Sequence, residues 1–153
     1  MKLSFILLVF ANTALLALTG WTGHQVDGNA GFSRHFLLGI LAAFFTCFVH
    51  IVAFVYFIVQ DKIVKQSVRL DGLDAGYAVR VDRHKFRVLT ASLGGIALVL
   101  VVSILGASDE MSSRASWHGI GGYGLPLVNL LFAWRQYREI VAYGRMFHEA
   151  FGE

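Results

Sequence analysis

The residues whose types and spacing could do chemistry in this chain are its histidines and the asparagines that share their levels. His50 stands deep in an apolar run over 36–59, whose other polar content is Thr46 and Cys47. An ionisable side chain in such a run is expensive, so it marks a functional position with a partner to be named. Asn12, in the apolar run 3–21, falls at nearly the same depth. The simplest prediction is an Asn12–His50 hydrogen bond that joins two helices; the sharper ones are a haem ligand, a quinone contact or a proton site.

His35 and His118 open the second and fourth apolar runs at one level. His35 precedes His50 by fifteen residues, about 22 Å along a helix axis and on broadly the same face. Gly39, Ala43, Thr46, Cys47, His50 and Ala53 form a small, polar seam, which points His50 into a bundle. His118, Gly122, Leu125, Asn129 and Ala133 form a matching seam on the fourth run. The glycines of 119–124 imply either close helix packing with a kink at Pro126 or room for a flat macrocycle or quinone head. In the second case His35 and His118 would ligate one iron from opposite sides.

The candidate cofactor-binding residues are therefore His35, His118, His50, Asn12, Asn129 and Gly122, with His35 and His118 as metal ligands and no catalytic residue. A second metal reading gathers His24, Asp27, His35, Asp109, Glu110, Met111 and His118 around copper or zinc. His84 and His148 lie in charged context and read as solvated.

The elements that must position these residues follow from composition. Of 153 residues, 56% are hydrophobic and 15% charged, well away from a soluble domain. One cysteine excludes a disulfide framework or a cysteine-rich cluster within this chain. Crossing a bilayer core of about 30 Å takes roughly 20 apolar residues as helix. Four runs qualify, at 3–21, 36–59, 88–107 and 117–134, the fourth being the weakest. The expected fold is an all-α integral membrane protein, a four-transmembrane-helix bundle in a single membrane domain.

Eleven of the thirteen Lys and Arg residues lie at the N-terminus, in 60–87 or after 134. The positive-inside rule then puts both termini in the cytoplasm, in a cell (inner) membrane. Ala17-Leu18-Thr19 is a passable signal-cleavage site, but the run is long for a signal and is read as a retained span. Segment 60–87 is expected to extend spans two and three as a helical hairpin turning near Asp71-Gly72. The tail 135–153 reads as an amphipathic helix for the membrane surface or a partner. No internal repeat, phosphate loop, Rossmann fingerprint, nucleophile elbow or zinc-protease motif is present.

The span layout with His35, His50 and His118 resembles the cytochrome b membrane anchors of respiratory complexes. The resemblance implies a small anchor or accessory subunit that binds haem b or contacts quinone and passes electrons, and is not catalytic alone. Its partners would be other subunits of the complex and the bilayer, anionic lipid included, with no nucleic acid. The alternatives are a cofactor-free structural or assembly subunit, and a channel or transporter working as a homo-oligomer.

Overall fold

The computed structural model describes residues 1–107 and 112–152, with side chains for 1–106 and 117–152. It is all-helical: α1 (Lys2–His24), α2 (Gly28–Leu70), α3 (Ala75–Ala107) and α4 (Ser112–Phe151). Helices α1, α2 and α3 are long and apolar enough to cross a membrane. Helix α4 is not, because glycines, His118, Pro126 and Asn129 dilute its apolar run.

Each helix packs on two neighbours: α1 and α3 both lie between α2 and α4, so α2 and α4 face each other across the bundle axis. Seen from this axis, residues reaching from α2 to α4 are central. Helix α2 has 43 residues, about 64 Å at 1.5 Å per residue, roughly twice a hydrocarbon core. Its extra length pairs with the start of α3, as the sequence implies. The turn falls at Asp71–Asp74, where Gly72 adopts φ 73° and Leu73 N–H bonds back to Ser67 O. Asp74 Oδ1 then accepts from Gly76 N–H at 2.6 Å and starts α3.

The tail differs from its expected role. Helix α4 runs unbroken through Pro126 to Phe151, and its last turns pack on the chain's own hairpin. Ile140, Tyr143 and Met146 are buried with Phe57, Val64, Val81 and Val88. Tyr143 also donates to Gln60 Oε1 at 2.8 Å. The apolar stripe read as a membrane or partner surface is thus used internally. A second cluster, Leu16, Ala42, Val99, Val102 and Leu125, fills the axis nearer the α1–α2 turn.

Candidate functional site

The two apolar clusters frame two histidine levels. At the α1–α2 end, His35 of α2 and His118 of α4 meet across the axis, ring centres 5.9 Å apart and planes at 73°. Each is fixed the same way. His35 Nδ1–H donates to Thr19 O on α1 at 3.1 Å, and His118 Nδ1–H to Val102 O on α3 at 2.9 Å. A carbonyl can only accept, so each ring donates from Nδ1, and in the neutral imidazole Nε2 is then the lone-pair atom.

Each ring also rests on the glycine four residues beyond its acceptor. A Cβ at Gly23 would stand 2.8 Å from His35 Cε1, and one at Gly106 would stand 2.5 Å from His118 Cε1. The spacing is identical in both helix pairs: acceptor, glycine four residues on, histidine sixteen residues on. Sequence reading found no repeat because the two acceptors, Thr19 and Val102, take part through the main chain and need share no side chain.

The second level centres on His50, which is fully buried. It does not bond Asn12 as the sequence predicted. His50 Nδ1 lies 3.0 Å from Gln136 Oε1 and Nε2 lies 3.0 Å from Asn129 Oδ1, both on α4. Gln136 Nε2–H donates to Ser92 Oγ at 2.8 Å, and Ser92 O–H donates to the His50 carbonyl at 3.0 Å. This closed ring fixes the Gln136 oxygen toward Nδ1. Asn129 faces its oxygen to a protonated Nε2, and turning its amide over would suit the neutral ring. Gly95 makes the third cradle, since a Cβ there would overlap Nε2.

Asn12 instead accepts from Thr46 Oγ1 at 2.9 Å, and its buried Nδ2 has no partner among the described residues. The depth argument put Asn12 and His50 at one level but could not fix their rotation. Gln136 was missed because it follows Arg135 and was counted in the tail. Its signal is the seven-residue spacing from Asn129, two helical turns on one face.

Nearer the hairpin, His84 is not solvated as expected: it pairs with Glu139 at 2.5 Å, with Arg87 Nη1 3.5 Å from the same carboxylate. Asp61, Lys65, Asp82 and Lys85 form an ion-pair network at 2.6–3.0 Å. His24, Asp27 and His148 are exposed. Asp109, Glu110 and Met111 lie outside the described residues, among which no three His, Cys, Asp or Glu side chains gather as a metal site.

The pair suits iron in its donor atoms but not in the space around it. Gly23 and Gly106 are filled by the imidazoles themselves, and a Cβ at Gly20 would stand 3.3 Å from Gly122 O. Helices α1 and α4 are therefore in close contact just below the pair, and a macrocycle between the rings would have to part them. At the second level both ring nitrogens of His50 are taken by Asn129 and Gln136, so the ring itself offers a quinone head no free nitrogen. Compared with protein-family models, curated proteins and solved structures, the chain matches none.

Proposed function

We propose that the chain is a small integral membrane subunit that anchors or accompanies a larger bioenergetic complex. The observation that carries this reading is the apolar surface. Large side chains face outward on all four helices, among them Phe10 and Trp21 on α1, Phe44 on α2, Ile104 on α3, and Leu127 and Trp134 on α4. Within the apolar spans the polar side chains Asn12, Thr46, His50, Ser92 and Asn129 are buried, so the surface there offers lipid and partner helices mostly apolar contact.

A fourth crossing by 117–134 belongs to this reading. Its support is the outward apolar face of α4, with Trp117 and Trp134 placed as an interfacial belt. Charge supports a cytoplasmic hairpin end. There a cleft of about 280 Å³ is lined by Arg87, Trp134, Tyr137, Arg138, Glu139 and Arg145, with Arg138 stacked 4.8 Å over Trp134. Glu139 is paired with Arg87, which leaves Arg138 and Arg145 beside an interfacial aromatic to meet the headgroup of an anionic lipid.

The test is native electrophoresis of the tagged full chain, solubilised from its own membranes in digitonin and stained in gel for respiratory oxidoreductase activity. The expected result is one band holding the chain and the activity, at a mass well above the chain's own. A chain that runs only alone or as a homo-oligomer, away from every active band, overturns the reading.

A further inference from the structure

We propose that His35 and His118 form a two-coordinate site for a single Cu(I) ion at the α1–α2 end of the bundle. Four observations converge on it. The rings come from helices on opposite sides of the axis and meet across it. Both have Nδ1–H spent on a main-chain carbonyl, one of the partners that orient a metal-bound imidazole and fix its tautomer. Both lie against a glycine where an added Cβ would collide with the ring. Two metal–nitrogen bonds of about 2 Å place ring centres roughly 4–6 Å apart, the wide end being the near-linear one. The observed 5.9 Å, with the rings edge to face, lies within that range.

The number of donors selects the metal. Zinc takes four ligands and hard cations take oxygen. Among the described residues no third His, Cys, Asp or Glu completes such a set. A d¹⁰ Cu(I) ion is satisfied by two neutral imidazoles in a line. With neutral imidazoles the ion adds to the Nε2 lone pairs, and no electron is moved. His50 offers nothing comparable, since both its nitrogens are engaged. The site does not depend on which complex the chain serves, so the native gel and the copper titration fail independently.

The test is an anaerobic titration of the full chain in detergent with Cu(I), held reduced by ascorbate, against the chelator bicinchoninate. One ion per chain is expected, with X-ray absorption showing two nitrogen neighbours at about 2 Å and imidazole outer-shell scattering. His35→Ala and His118→Ala should each weaken binding at least 100-fold, while His50→Ala, if it folds, leaves it unchanged. Gly23→Ala keeps both ligands and displaces one, and should weaken binding about 10- to 100-fold. Copper binding that survives both histidine variants overturns the site, as does Zn(II) held equally well by the same pair. A b-type haem spectrum lost with either histidine overturns it too, by giving the pair to haem iron.

Discussion

At the α1–α2 end each imidazole gives Nδ1–H to a main-chain carbonyl and keeps Nε2 free; in mid-bundle His50 has both nitrogens committed to amide side chains. The end pair is half-buried, whereas His50 has no exposed surface. All three rings sit on a glycine of a neighbouring helix, so the cradle is common and the second nitrogen differs. What separates the levels is the cost of leaving that nitrogen alone. In a dry interior an unpaired polar atom costs about 1–3 kcal/mol, so His50 needs Asn129 and Gln136. Near the helix ends water can serve Nε2, and the atom stays available to a ligand. The same side chain holds helices together in one place and is free to bind in the other.

This contrast can be broken hardest at Gly95. Gly95→Ala puts a methyl where His50 Nε2 lies, in a core with no slack, and should cost on the order of 3 kcal/mol or prevent folding. Thermal unfolding in micelles reads it. Gln136→Leu strands His50 Nδ1–H and removes the donor to Ser92, and should cost about 2 kcal/mol on the same assay. Asn12→Leu sharpens the comparison. It removes an amide whose Nδ2 is already unpartnered and leaves Thr46 able to bond its own helix, so it should stay within about 1 kcal/mol of wild type. If Asn12→Leu costs as much as Gln136→Leu, the node has been drawn around the wrong residues.

His35→Ala should be milder still for stability, about 1 kcal/mol, because one half-buried hydrogen bond is lost and water replaces it. The smallest effect is expected at the hairpin ion network. Hydrogen bonds from Lys85 and Lys65 hold the Asp82 carboxyl below its ordinary range, and Asp61, then Asp82, push both lysines up. A lowered acid stabilises above its unfolded pKa of about 4 and loses that as pH falls through its folded value. A raised lysine stabilises below about 10.4 and loses that as pH rises through its folded value. The network's own contribution should therefore be flat between about pH 5 and 9 and fall modestly outside it, the groups being solvent-screened. A scan of melting temperature against pH checks the window.

The sequence carried the helices well and their rotations poorly. Apolar runs marked α1, α2 and α3, and Asp71-Gly72 marked the turn, because length and glycine act locally. Depth along a helix also follows from counting, which is why His35 and His118 were expected at one level. Which faces meet depends on packing between helices, so Asn12 was matched to His50 when Thr46 lay one turn nearer. Gln136 was hidden by the charged residues around it, and His84 by its own. The repeated anchoring of His35 and His118 runs through main-chain oxygens, which a sequence of side chains does not display. Some of what dilutes α4 as an apolar span serves its packing: Gly121 admits Val102 of α3, and Asn129 bonds His50.

The most direct measurement is a two-bond ¹H–¹⁵N spectrum of the histidine-labelled full chain in micelles, assigned by single substitutions. The account predicts that His35 and His118 both carry the proton on Nδ1 with an unprotonated Nε2, and that Cu(I) moves those two Nε2 signals while His50 stays where it was. An Nε2–H tautomer at either end histidine, or copper shifts centred on His50, would contradict it.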